Sequence, residues 1–108
     1  MNRGDLMTVV AAGDYGKPRP AVVIQSNKIA DTNTVLTCLM TSLERDTSEY
    51  RLAIPPTNIT GLRATSYVMG DKIFAIRRDK CGPVFGRVPD ELLAELNDML
   101  AMVVGLAD

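Results

Sequence analysis

Arg19 lies between two prolines in the run Lys17-Pro18-Arg19-Pro20, where a polar, glycine-containing loop (residues 13–20) gives way to the apolar stretch 21–25. Pro20 fixes its own φ and biases Arg19 toward extended backbone, while Pro18 restrains the residue before it. The arginine should therefore leave the loop in a nearly fixed direction. A planar guanidinium held this way can take two phosphate oxygens at once. It cannot act as a base, because a guanidinium keeps its proton in proteins. Its chemistry is to bind phosphate and to stabilise charge that develops there. The same placement also suits an arginine that pairs with a surface carboxylate at the start of a strand, and spacing alone leaves both readings open.

Other side chains could share that chemistry. Thr41 and Ser42 fall at the end of an apolar run, where a hydroxyl can donate to a phosphate or polarise a ribose 2′-OH. Such hydroxyls also form turns by bonding their own backbone. Gly70-Asp71-Lys72 sets a carboxylate beside an amine, and Ile76-Arg77-Arg78-Asp79-Lys80 is a basic turn suited to tracking a phosphate backbone. Asp14, Tyr15 and Lys17 share the first loop, and Tyr15 is an aromatic able to stack on an unpaired base. For each charged group the plain alternative is a solvated surface.

The chain has no histidine, which removes Ser-His-Asp and Cys-His nucleophiles, paired-histidine RNA cleavage and histidine-ligated metal. Catalysis must use Arg, Lys, Asp, Glu, Ser, Thr, Tyr or Cys. The two cysteines, Cys38 and Cys81, form no CxxC pair, so a structural zinc site or a disulfide is not expected and both read as packed thiols. No metal and no cofactor are expected.

Short strands must position these groups. Residues 6–11, 21–25, 34–41 and 50–54 read as strands, as does 65–76, either whole or bent at Gly70. Residues 84–88 add a last one. Strands follow one another without intervening helices, so the sheet is expected to be antiparallel. Only the end reads as a helix. Pro89 suits its first position and Asp90 and Glu91 its first turn. Leu92, Leu96, Met99 and Val103 recur at helical spacing, Leu93, Leu100 and Val104 widen that stripe, and Gly105 stops it. The fold class is mainly β with a C-terminal helix, an SH3-like small barrel, in one domain over residues 1–108.

A net charge of −1 argues against strong non-specific nucleic-acid binding, but the charge is uneven. Residues 63–87 carry Arg63, Lys72, Arg77, Arg78, Lys80 and Arg87 against Asp71 and Asp79. Acid gathers at Glu44, Asp46 and Glu49 and at Asp90, Glu91, Glu95 and Asp98. No window is apolar enough to span a bilayer, and the first ten residues make a poor signal peptide, so a cytoplasmic location is expected.

The stretches "RGDL", "KPRPAVVIQSN", "TCLMTS" and "GLRATSYVMGDKIFAIRRDKCGPVFGRV", followed by the amphipathic helix, resemble the MazF/PemK toxins of type II toxin–antitoxin systems across nearly the whole chain. The resemblance implies the CcdB/MazF/Kid-like toxin fold and a homodimer. It implies an mRNA interferase that cuts single-stranded RNA without a metal and is neutralised by a cognate antitoxin. On the matching residues, Arg19 is the catalytic arginine, Thr41 the catalytic threonine, and residues 13–18 the loop that gates the RNA and meets the antitoxin. The remaining RNA contacts are then Asp14, Tyr15, Lys17, Ser42, Asp71, Lys72, Arg77 and Arg78. Two features depart from the family. Phe74 stands where some relatives carry a further arginine, and the first loop lacks the histidine some possess. These departures leave a second catalytic arginine and the identity of the general base open, with Asp71 as a candidate. The alternatives are a CcdB-type gyrase inhibitor, disfavoured by the absence of tryptophan, and an inactive RNA-binding relative.

Overall fold

The computed structural model describes every residue except 12, 14, 15, 44–48 and 107. Six strands form one antiparallel sheet: β1 (Asp5–Val9), β2 (Arg19–Val23), β3 (Thr34–Thr41), β4 (Arg51–Ile54), β5 (Ser66–Arg77) and β6 (Cys81–Arg87). The strand order is β4-β5-β3-β2-β1-β6, and α1 (Asp90–Val103) ends the chain.

Alternation sends each central strand into two cores. Leu6, Val22, Cys38, Met40, Ile54 and Val68 form the first, with Leu96 and Met99 of α1 buried among them. Met7, Val9, Ala21, Val23, Val35, Leu39 and Ile76 form the second, on the other face. Both faces of β1, β2 and β3 are thus buried, which is why their sequences read as apolar runs rather than strict alternation. Leu92, Leu93, Leu100 and Val103 pack half-buried against the first core. The broad helical stripe is therefore core packing, except for Val104, which is exposed. Pro89 is the N-cap of α1 and not its first residue, since its ψ of 152° is extended; its carbonyl still accepts from Leu93 N at 2.9 Å. Gly105, at φ 77°, ends the helix as its type predicts.

β5 is one strand, with its irregularity where Gly70 predicts it. Cys38 pairs with Ile73 and Met40 with Val68, so residues 69–72 stand opposite Leu39 alone. At β6 the coiled sheet closes on a turn rather than on another strand. Thr60 is fully buried and holds that turn, accepting from Thr57 N and donating to the Pro55 carbonyl, both at 2.9 Å. The Ile59 carbonyl then accepts from Arg87 N at 3.0 Å. This is the small barrel with a terminal helix that the strand pattern predicts.

Candidate active site

Arg19 and Pro20 open β2 instead of ending the loop. Arg19 pairs with Val9 and Pro20 with Thr8 of β1. The extended backbone expected from the two prolines is therefore realised as ladder pairing. β2 and β3 pair as Ala21↔Leu39, Val22↔Cys38 and Val23↔Thr37. The same register carried two residues further faces Arg19 with Thr41, the last residue of β3. Directly opposed residues of antiparallel strands have Cα atoms about 5 Å apart and point to one face. That face is the second core's: Val9, the partner of Arg19, is buried there, and Leu39 alternates with Thr41 toward it. Arg19 is half-buried and its Nε is fully so, which takes the guanidinium partly out of water. Thr41 is also half-buried, and its Oγ1 accepts from Leu43 N at 3.2 Å. The hydroxyl forms a turn as its position allows.

Tyr67 pairs with Thr41 from β5, so the β2–β3 register continued from Ala21↔Leu39 aligns Arg19, Thr41 and Tyr67 as one rung. Sequence alone does not mark this residue, because nothing local encodes the β3–β5 register.

The other expected contacts divide among several places. Lys17 and Ser42 are exposed near Arg19 and Thr41 along the chain. Asp14 and Tyr15 lie outside the described residues. Arg77 is exposed, pairs with Asp79 at 2.5 Å, and lines a cavity of about 670 Å³ with Lys80, Gly13 and Gly16. Arg78 is committed to the fold: its Nε donates to the Thr32 carbonyl at 2.6 Å and its Nη2 to the Ala30 carbonyl at 3.0 Å, which clamps the β2–β3 loop. Asp71 receives Arg51 Nη1 at 2.7 Å, and Arg51 stacks over Tyr50 at 5.3 Å. Arg51 borders a groove beside α1 together with Glu49, Glu95 and Asp98, so Asp71 belongs to the helix side rather than to the Arg19 rung. Lys72 is exposed in the same irregular segment. Phe74 is half-buried against the second core, and its carbonyl accepts from Thr37 Oγ1 at 3.1 Å. The unevenness of charge survives folding, with acids along α1 and cations at the turn between β5 and β6.

Among the described residues no three His, Cys, Asp or Glu side chains gather as a metal site, and no helix is long and apolar enough to cross a membrane. Burial pushes the Cys38 thiol up from its ordinary 9.0 to about 12, with Asp71 adding to the rise and Arg3 opposing it. Cys81 is raised as well, chiefly by burial. Cys38 is neutral when folded and would ionise near pH 9 once unfolded. Its contribution to stability is therefore complete below pH 9 and is lost as pH climbs from 9 toward 12, by up to about 4 kcal/mol. Urea midpoints measured across that window should fall for the natural chain and fall less steeply for Cys38→Ala. Parallel slopes would mean that the thiol is not buried as described.

A mainly-β barrel with a terminal helix, carrying a half-buried arginine opposite a strand-end threonine, is the class of protein that fold and site define. The family described as PemK-like, MazF-like toxin of type II toxin–antitoxin system matches residues 2–104. A protein named probable endoribonuclease MazF, from Mycolicibacterium smegmatis, is 33% identical over 108 residues, covering 99% of each chain. Among solved structures, an endoribonuclease in complex with its cognate antitoxin from Mycobacterial species superposes with a TM-score of 0.82 at 24% identity, covering 98% of this chain and 96% of that one. Mycobacterium tuberculosis toxin MazF-mt6 does so with a TM-score of 0.80 at 15% identity, covering 94% and 96%. The two structures speak to the fold. The family match and the sequence relative go further: the chain belongs to the PemK-like, MazF-like toxins of type II toxin–antitoxin systems.

Proposed function

We propose that this chain is an endoribonuclease toxin that cuts single-stranded RNA, mRNA included, without a metal ion. It attacks the scissile phosphorus with the adjacent ribose 2′-OH. The bond from O2′ to phosphorus forms, the bond to O5′ breaks, and the products carry 2′,3′-cyclic phosphate and 5′-OH ends. What supports this reading is the half-buried Arg19 that opens β2, toward which the β2–β3 register, continued beyond Ala21↔Leu39, brings Thr41, in a chain with no histidine. Arg19 stabilises the charge that builds on the non-bridging oxygens, and its partial burial strengthens each of those hydrogen bonds. Arg19 keeps its own proton throughout: the 2′-OH proton passes to solvent and the departing 5′ oxygen takes one from solvent. Thr41 orients the phosphate or the 2′-OH, the positioning that an in-line attack requires. Asp71 is assigned to its pair with Arg51 rather than to proton transfer, since taking a proton would break that charge-assisted bond.

The relative and the solved neighbours support the reading by what they are called: one is a probable endoribonuclease, another an endoribonuclease bound to its cognate antitoxin. By the same likeness the chain works as a cytoplasmic homodimer and is neutralised by a protein antitoxin. Purified protein mixed with a long RNA in excess EDTA should give fragments with cyclic-phosphate ends. If cleavage appears only when a divalent metal is restored, the mechanism is wrong. If supercoiling by gyrase is blocked while RNA stays intact, the chain is a gyrase poison instead.

A further inference from the structure

Thr41 faces Tyr67 because β5 is irregular. Cys38 pairs with Ile73, and an unbroken ladder from that pair would set Met40 opposite Asp71 and Thr41 opposite Gly70. The break in register between Cys38 and Met40 moves both partners, so that Met40 meets Val68 and Thr41 meets Tyr67. Bulges of this kind re-aim side chains and gather next to active sites. Here the irregularity puts a large ring beside Thr41, where a residue without a side chain would otherwise stand.

Alternation fixes the direction of that ring. Ser66 and Val68, on either side of Tyr67, are buried, and Val68 belongs to the first core. Tyr67 therefore projects to the opposite face, together with Met69, which packs against the second core. Met40 is also in the first core, which sends Thr41 to the same face as Tyr67. Directly opposed residues bring their Cβ atoms to about 5 Å, within reach of an aromatic ring. On its other side Tyr67 is opposed by Ala53, whose one methyl gives the ring little to lean on.

Thr41 needs such a neighbour if its hydroxyl is to keep one direction. The bond from Leu43 N to Thr41 Oγ1, at 3.2 Å, is long for an N–H donor and restrains the side chain weakly. Aromatic and β-branched residues attract when directly opposed across a ladder. A ring against the γ-methyl selects the staggered rotamer in which the methyl lies on the ring and Oγ1 turns away from it.

We propose that Tyr67 is a positioning residue of the reaction: its ring takes the γ-methyl of Thr41 and so fixes the direction of the Thr41 hydroxyl. The assignment rests on the ribonuclease reading for the work that hydroxyl does, whereas the contact itself stands apart from it.

The test uses the natural chain, Tyr67→Ala, Tyr67→Phe and Thr41→Val. In NMR spectra of the natural chain the Thr41 γ-methyl protons should be shifted upfield by the ring, with scalar couplings of a single χ1 rotamer. Both signatures should persist in Tyr67→Phe and vanish in Tyr67→Ala. Cleavage of RNA should follow them. Tyr67→Ala should lower kcat about tenfold through lost orientation, and Tyr67→Phe should recover most of that loss. KM should change by less than about twofold, because binding of the substrate is not what the ring supplies. Added to Thr41→Val, Tyr67→Ala should cost less than about twofold more. Averaged couplings in the natural chain overturn the contact. So does a Tyr67→Phe as poor as Tyr67→Ala, which would give the role to the phenol hydroxyl, and so do equal losses from Tyr67→Ala with and without Thr41→Val. Should Tyr67→Ala not fold, the natural chain and Tyr67→Phe decide between these outcomes. The expected spectra from a natural chain that cleaves no RNA would keep the contact and sink the ribonuclease reading instead.

Discussion

Arg19→Ala is expected to lower kcat/KM for RNA cleavage by about 100- to 1000-fold, the scale seen when one donor to a developing oxyanion is removed. The loss should fall mainly on kcat, because the charge that Arg19 meets is largest in the transition state. Arg19→Lys keeps the charge but loses the planar fork and its fixed exit from a proline-flanked strand, so it should recover only a small part of the activity. Thr41→Val keeps the shape of the side chain and removes its hydroxyl, and a loss of about tenfold is expected from the lost orientation. Because the two residues face each other across one rung, their effects should not add: the double variant should be little worse than Arg19→Ala alone. Circular dichroism and a thermal melt establish that each variant folds. If Arg19→Ala retains more than about a tenth of the natural activity while folded, the reacting centre lies elsewhere on the molecule.

The features legible in sequence were those set by local chemistry. Two prolines announced the extended backbone of Arg19, Gly70 marked the irregularity in β5, and the leucine stripe with its acidic first turn and terminal glycine delimited α1 to within a residue or two. What sequence left open was register. The match of Arg19 to Thr41 depends on how β2 slides on β3, and a slip of one residue would have sent the threonine to the opposite core. Tyr67 stayed hidden for the same reason. Arg77 and Arg78 looked alike as neighbours in a basic turn, yet one faces solvent at a cavity rim and the other clamps two carbonyls of a distant loop. Only the fold assigns them different work. Asp71 likewise looked free beside Lys72 until the β4–β5 pairing brought Arg51 against it. Charge was visible from the start, whereas the partner each charge would meet was not.

Gly86→Ala should be the most damaging small substitution in the chain, costing at least about 3 kcal/mol of stability. A Cβ on Gly86 would stand 2.0 Å from the Thr60 carbonyl oxygen, 2.4 Å from its carbon and 2.9 Å from the Ile59 oxygen. All three are backbone atoms of the turn on which β6 closes, so no side chain can rotate away. Either the turn retreats, breaking the Arg87–Ile59 hydrogen bond and loosening the buried Thr60, or β6 shifts away from β1. The comparison is Gly13→Ala, which meets the strain of a left-handed φ with no atom of the described residues within 4 Å of the new Cβ, and should cost about 1–2 kcal/mol. Urea midpoints of the two variants would rank them, and a Gly86→Ala loss no greater than that of Gly13→Ala would mean that the closure is looser than described. The difference bears on catalysis as well as on stability. β6 pairs with β1, and Val9 of β1 is the strand neighbour of Arg19, so a barrel that opens at Gly86 releases one wall of the proposed centre. Activity should then fall in Gly86→Ala at temperatures below its melting transition, although the substitution touches no residue of the Arg19 rung.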